Sequence, residues 1–151
     1  MLRTRLSDAL KAAMKEKDRR SVSTLRLILA ALKDRDIAAR GKGNQDGVSD
    51  DEVLGLLQSM IKQRRESIEL YEKGGRMELA QGEAEEISVI EGFLPEQMSE
   101  DEIAAVITGV LGEVGAESLK DMGKVMTALK EQFAGQMDFG KASAIVKERL
   151  S

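Results

Sequence analysis

The sequence predicts an all-α protein, and three observations support this prediction. Apolar residues recur three and four positions apart along most of the 151 residues, which is the spacing of amphipathic helices. The alternation of apolar and polar residues that is typical of strands is not sustained anywhere in the chain. A single Pro and a charged fraction of 33% are typical of helices with solvated outer faces.

Two apolar stripes predict the first pair of helices. Ala9 and Ala13 flank the first stripe, and the second fades near Arg40, where the glycine-rich segment 41–47 predicts a mobile loop. The expected inner positions are Leu2, Leu6, Leu10 and Met14 in the first helix, and Val22, Leu25, Ile28, Leu29, Leu32 and Ile37 in the second.

A capping box and a pair of glycines delimit the third helix. The Ser49 hydroxyl can accept the amide hydrogen of Glu52, whose carboxylate can reach back to the Ser49 amide. Gly74 and Gly75 predict the helix end, because glycine tolerates the left-handed conformation that follows many helices. A fourth helix is expected to end at Pro95. The expected inner positions are Val53, Leu56, Leu57, Met60, Ile61, Ile68 and Tyr71, then Met77, Leu79, Ile87, Ile90 and Leu94.

Pro95 is followed by a second capping box, formed by Ser99 and Glu102. A helix stop and a fresh helix start in close succession predict a domain boundary. We therefore expect an N-terminal four-helix domain at residues 1–95 and a C-terminal three-helix domain at residues 96–151.

Glycines are expected to interrupt the apolar pattern of the last three helices. Gly112 and Gly115 break the fifth helix, and Gly135 separates the sixth from the seventh. The expected inner positions are Ile103, Val106, Ile107, Val110 and Leu111, then Leu119, Met122, Val125, Met126, Leu129 and Phe133, and finally Ala142, Ile145, Val146 and Leu150.

Cysteine and histidine are both absent. Their absence excludes disulfides, thiolate zinc sites, cysteine nucleophiles and serine–histidine triads, and we expect neither a metal site nor a cofactor. No apolar run is long enough to span a bilayer, and the N-terminus lacks the apolar segment of a signal peptide. These features predict a cytoplasmic protein that does not bind membranes.

The net charge of −4 is unevenly distributed along the chain. Residues 1–45 contain 12 Lys or Arg against 5 Asp or Glu, whereas residues 46–98 contain 5 against 13. Arg19, Arg20 and Arg26 in the basic segment are candidates for contact with phosphate groups. The alternative is that the basic segment pairs with the acidic segment of the same chain.

The acidic run at residues 83–86 also has two interpretations. Paired carboxylates can exchange protons with a substrate or hold a divalent cation. The more common arrangement is a solvated helix face that pairs with nearby cations, which here would be Arg64, Arg65 and Arg76.

Two glycine–lysine pairs in the last third of the chain are candidate contact points for a partner. Gly123 and Lys124 lie within an apolar helical pattern, and Gly140 and Lys141 lie at the expected start of the last helix. Glycine would let a partner's backbone come close, and lysine would add a cation, as would the nearby Lys120. A helix N-terminus also offers unbonded amides to a phosphate group. The alternative for Gly123 is close packing of two helices, or a break between two short ones.

The residues of several segments resemble the GatB/YqeY family, and the resemblance extends over the whole chain. The segments are 25–28, 62–68, 83–98, 121–126 and 140–142. Ser143 and Ala144 depart from the family pattern, in which an acidic residue and a glycine are frequent. The resemblance implies a two-domain helical fold whose three-helix part is similar to the tail of the B subunit of the aspartyl/glutamyl transfer-RNA amidotransferase. That tail helps to hold transfer RNA, and the catalytic domain of the enzyme has no counterpart in this chain.

Three functional hypotheses remain open. The first is a non-catalytic helical module that binds transfer RNA or a protein of the aminoacylation and translation machinery. The second is a protein–protein adaptor without nucleic-acid contact, which the overall acidity favours. The third is a carbon–nitrogen ligase with glutamine as amide donor, attributed by family inheritance only. Such an enzyme would need serine–lysine or carboxylate chemistry, and no serine is recognisably placed for it.

Overall fold

The computed structural model describes all residues from Met1 to Ser151 and confirms the all-α class, with seven α-helices and no strand. A 3-10 turn, Leu119–Asp121, precedes the sixth helix. The helices are α1 (Leu2–Glu16), α2 (Arg19–Gly41), α3 (Asp50–Lys73), α4 (Met77–Glu91), α5 (Glu100–Val114), α6 (Met122–Gln132) and α7 (Phe139–Leu150).

The chain forms two compact units, Met1–Leu94 and Pro95–Ser151. The first contains α1 to α4 and the second contains α5 to α7. That residues 1–95 and 96–151 are separate folding domains stays a prediction. No helix combines the length and the apolar character that are required to cross a bilayer.

The core of the N-terminal unit is almost wholly aliphatic. Helix α3 packs chiefly on α4, whereas α2 packs on α1 and α4. The buried apolar residues are Leu2, Leu6, Ala13, Leu25, Ile28, Leu32, Val53, Leu56, Leu57, Met60, Ile61, Ile87 and Ile90. Burial of such side chains supplies the main favourable free energy of folding.

A buried carboxylate fixes the segment that follows α2. Both guanidinium nitrogens Nη1 and Nη2 of Arg3 donate to Asp36, at 2.5 and 2.7 Å, and Nη2 also donates to the Val48 carbonyl at 2.6 Å. The Val48 amide donates to Asp36 Oδ1 at 3.0 Å. These hydrogen bonds, those from Arg3 foremost, lower the pKa of Asp36 to about 2. We call Arg3, Asp36 and Val48 the Asp36 clasp.

Gly47 is required by the Asp36 clasp. Its φ of +82° lies in the left-handed region, and a Cβ atom there would come within 2.9 Å of Asp36 Cγ and 3.3 Å of Arg3 Nη2. A side chain would therefore be strained by its backbone conformation and would also displace the ion pair. The predicted loop at residues 41–47 thus ends at a point that α1 and α2 hold in place.

Local signals at most helix ends are confirmed. Both predicted capping boxes form at Ser49 and Ser99, with the serine and the glutamate three residues later exchanging hydrogen bonds. Gly74 caps α3, and Gly115 caps α5 with a φ of +64°. The prediction that Gly112 breaks α5 is wrong, because this residue keeps helical geometry and α5 continues to Val114.

Several residues that the stripes predict to be inner are exposed. Regularly spaced apolar residues show which face of a helix is apolar. They do not show how much of that face a neighbouring helix covers. At the end of α1, for example, Ala13 is buried and Met14 is 50% exposed. At the start of α4, Ala80 is buried and Leu79 is exposed. The exposed residues are Met14, Ile37, Met77, Leu79 and Leu119.

The C-terminal unit packs its three helices around a second aliphatic core. Its buried residues are Ile103, Ile107, Val110, Val125, Leu129, Met137, Ala142, Val146 and Leu150. The segment that precedes α5 is bound to the connection between α6 and α7. The Met98 amide donates to the Gln136 carbonyl at 2.7 Å, and Gln97 Nε2 donates to the Gly135 carbonyl at 2.6 Å.

Candidate functional site

An open hollow of about 660 Å³ lies beside the first turns of α2 in the N-terminal unit. Three of its lining residues are cations, and no carboxylate lines it. The lining residues are Lys17, Arg19, Val22, Ser23, Arg26 and Leu27. We call this feature the cationic hollow. It contains two of the arginines that the sequence marked as candidates for phosphate contact.

The junction between α1 and α2 places these cations around the hollow. Asp18 caps α2 by accepting the Ser21 amide at 3.2 Å and the Ser21 hydroxyl at 2.7 Å, and these bonds lower its pKa. The Asp18 carboxylate is therefore bound to its own helix. Arg19 and Arg26 lie seven residues, or two helical turns, apart and hence on the same face.

The three cations of the hollow are not neutralised within the chain. Lys17, Arg19 and Arg26 are exposed, and none of them forms an ion pair. The half-exposed Leu27 adds an apolar surface beside them. Uncompensated cations around a concave surface can bind an anionic group, and two guanidinium groups can each form bidentate hydrogen bonds with it.

Arg20 does not belong to this site. Its guanidinium crosses to α4, where Nε lies 3.1 Å from Glu85 Oε2 and Nη1 lies 3.6 Å from Glu86 Oε1. Arg64 of α3 also binds Glu86, at 2.9 Å, so three helices share one ionic cluster. Of the two alternatives for the basic segment, Arg20 therefore follows the second, which is pairing with the acidic segment of the same chain.

The acidic run at residues 83–86 is largely engaged in such pairing. Desolvation, together with the neighbouring Glu86, raises the pKa of the Glu83 carboxyl. The expected pairing of this run with Arg65 and Arg76 is wrong, because these arginines pair with Glu91 and Glu78 outside it, at 3.5 and 3.3 Å. No group of three or more carboxylates is placed to hold a metal ion.

Gly123 and Lys124 lie in the first turn of α6 and face solvent. No atom lies within 4 Å of the position where a Cβ of Gly123 would be, so close helix packing does not explain this glycine. Lys120 and Lys124 are exposed and form no ion pair. The nearby Asp121 accepts the amide hydrogens of Glu117 and Ser118, which lower its pKa.

Gly140 and Lys141 lie in the first turn of α7, where an acidic residue already occupies the helix N-terminus. Asp138 Oδ1 accepts the amide hydrogens of Gly140 at 2.8 Å and Lys141 at 3.3 Å. The Lys141 ammonium lies 3.6 Å from a Glu100 carboxylate oxygen. The amides that sequence reasoning offered to a phosphate group are thus bound within the chain.

The candidate residues are consequently divided among separate places. Arg19 and Arg26 share the cationic hollow, and the two glycine–lysine pairs begin two successive helices. No hydrogen bond or ion pair joins one glycine–lysine pair to the other. Sequence reasoning missed Lys17 as a member of the hollow. The only sequence feature that could have indicated Lys17 is its position immediately before Asp18, the residue that caps α2.

The model of the YqeY-like protein family matches residues 3–150. The chain belongs to this family. The match covers the helical chain as a whole, and it carries no information on the likeness to the amidotransferase tail.

The chain is also similar to several fungal proteins. It is 34% identical over 111 residues to a protein of Lachancea thermotolerans named Altered inheritance of mitochondria protein 41, mitochondrial, a match that covers 72% of this chain and 57% of that protein. The protein of the same name from Eremothecium gossypii is 32% identical, with 72% and 58% covered. An uncharacterised protein of Schizosaccharomyces pombe is 31% identical, with 66% and 73% covered. The chain thus spans less than two thirds of the two mitochondrial relatives.

These relatives contradict the expected cytoplasmic location. The similar proteins that carry a descriptive name are named as mitochondrial. The expectation was drawn from the lack of a membrane span and of a signal-peptide segment. Those absences do not distinguish one aqueous compartment from another, and so they could not support it.

Proposed function

We propose that this chain is a non-catalytic helical module that binds transfer RNA through phosphate contacts. The observation that carries the proposal is the cationic hollow, where Lys17, Arg19 and Arg26 face solvent without a carboxylate partner. Contact with RNA backbone requires exposed cations and no aromatic platform, which suits a chain with only four aromatic residues, 3 Phe and 1 Tyr.

Local charge supports this proposal better than net charge does. The N-terminal unit contains 17 Lys or Arg and 17 Asp or Glu, and the C-terminal unit contains 6 against 10. Neither unit is a general polycation. Several carboxylates of α2 and α4 are paired with other arginines, and the hollow is lined by three cations and no carboxylate.

The resemblance to the amidotransferase tail suggests a second, weaker contact in the C-terminal unit. Lys124 and Lys120 are the best candidates there, since they are exposed and form no ion pair. Lys141 is less suitable, because binding RNA would require it to leave Glu100. Amide transfer itself is not part of the proposal, since the chain has neither histidine nor cysteine to act as base or nucleophile.

One observation favours the adaptor as a second candidate function. A groove of about 470 Å³ runs between α2 and α3. Leu27, Ala31 and Met60 line it together with the charged Asp34, Arg35 and Arg64. Grooves between helices are common docking places for an amphipathic helix. An adaptor that uses this groove would bind its partner without the cations of the hollow.

The experiment is a titration of fluorescently labelled transfer RNA at several salt concentrations. We expect the double variant Arg19→Ala, Arg26→Ala to bind more weakly than wild type and to lower the salt slope by about one, because the phosphate in the hollow is no longer bound. The matched control is Lys130→Ala, Lys147→Ala, which removes two exposed cations outside the hollow. An equal reduction in affinity for both double variants would indicate diffuse attraction, and an unchanged affinity in the arginine variant would contradict the proposed site.

A further inference from the structure

Lys17 combines an unfavourable backbone conformation with a place in the cationic hollow. Its φ of 59° and ψ of 32° are left-handed, and it is the only residue other than glycine with a positive φ. Glycine is the usual residue at this position after a helix, because a Cβ atom disfavours the conformation. The fold therefore has no need of lysine here, and glycine would suit the turn better.

The hollow has the size and the chemistry for a small anion that carries an apolar group. Its volume of about 660 Å³ is within the range of small-molecule sites. Arg19 and Arg26 supply planar guanidinium groups, which match the oxygen geometry of phosphate, and Lys17 supplies a compact third charge. Val22 and Leu27 line the same hollow and can contact a sugar or a base.

We propose that the cationic hollow binds one nucleotide unit, with its phosphate held by Lys17, Arg19 and Arg26 and its sugar or base against Val22 and Leu27. This inference rests on the proposed function. It adds that the hollow holds a single nucleotide unit and that Lys17 contacts the phosphate. The same chemistry is offered by a phosphate within RNA and by a free nucleotide. An acidic peptide is the competing ligand. A terminal phosphate, with a charge of about −2 and three free oxygens, suits a hollow lined by three cations better than one carboxylate does.

The test uses Lys17→Gly in the full chain, because it separates folding from binding. The change removes the cation and also the strain of a side chain in the left-handed conformation. The variant should therefore melt at the same temperature as wild type or higher. Its affinities for adenosine monophosphate and for transfer RNA should each fall about fivefold, because one of the three cations that hold the phosphate is lost. Lys17→Arg should retain binding, and Lys15→Ala, which removes an exposed cation outside the hollow, should change neither ligand's affinity.

The probes are adenosine monophosphate, inorganic phosphate, a poly-glutamate peptide and labelled transfer RNA, each measured with wild type and variants. Nucleotide binding that depends on Lys17 supports a free nucleotide as ligand, and the same dependence with transfer RNA alone supports an RNA-borne phosphate. If wild type and Lys17→Gly bind transfer RNA equally and neither ligand's binding depends on Lys17, the inference is overturned and the proposed function stays intact. Nucleotide binding without RNA binding overturns the proposed function and supports the site. Binding of poly-glutamate in place of every phosphate ligand overturns the inference.

Discussion

The Asp36 clasp offers the sharpest test of how this fold is held together. Replacing Asp36 by Asn keeps the shape of the side chain but removes the charge that Arg3 and the Val48 amide bind. The pKa of Asp36 is lowered from 3.8 to about 2 in the folded protein. Such a shift corresponds to about 2 kcal/mol of stabilisation by the ionised carboxylate.

The pH dependence has a definite sign. Because the folded-state pKa lies below the unfolded one, the stabilisation is fully present above about pH 5 and is lost as the pH falls through about 2. The gap in unfolding free energy between wild type and Asp36→Asn should therefore be about 2 kcal/mol at pH 7. It should shrink to about half at pH 3.

The assay is urea unfolding followed by circular dichroism at pH 7 and pH 3. Asp34→Asn is the matched control, since Asp34 is an exposed carboxylate on the same helix that forms no ion pair. The control should change stability by less than about 0.5 kcal/mol at either pH. The reasoning would be refuted if Asp36→Asn matched the control at pH 7, or if its deficit stayed constant down to pH 3.

Three further predictions concern glycines and activity. Gly47→Ala should cost at least about 2 kcal/mol in thermal unfolding, because a Cβ there meets Asp36; an unchanged melting temperature would contradict this. Gly123→Ala should stabilise the protein by up to about 1 kcal/mol, since its Cβ meets nothing within 4 Å, and a lower melting temperature would disprove it. Purified protein should neither hydrolyse glutamine nor amidate mischarged transfer RNA, and turnover that disappears on substitution of one serine or lysine would overturn that expectation.

Helix starts were predictable from the sequence because their signals are local. The capping boxes at Ser49 and Ser99 involve residues three positions apart, and both form as expected. The extent of the core was less predictable, because it depends on how neighbouring helices overlap. The exposed Met14 and Leu79 belong to regular stripes that extend beyond the covered surface.

The candidate site was only partly accessible to sequence reasoning for a similar reason. The sequence made Arg19, Arg20 and Arg26 equal candidates, because it does not show which way each side chain points. Only the fold separates Arg20, which binds carboxylates more than 60 positions away, from the other two. Lys17 lines the hollow because it lies in the left-handed turn between α1 and α2. No sequence motif predicts a lysine in that conformation.

The affinity of the wild-type protein for transfer RNA, measured over a range of salt concentrations, tests the central claim most directly. The proposed function predicts binding at low salt and a linear fall of the logarithm of the association constant against the logarithm of salt concentration. The slope should lie at about −1 to −2, as expected for the one phosphate in the hollow together with the second contact at Lys120 and Lys124. Absence of binding at about 50 mM salt, or an affinity that does not change with salt, would contradict the claim that this chain binds RNA through its cationic hollow.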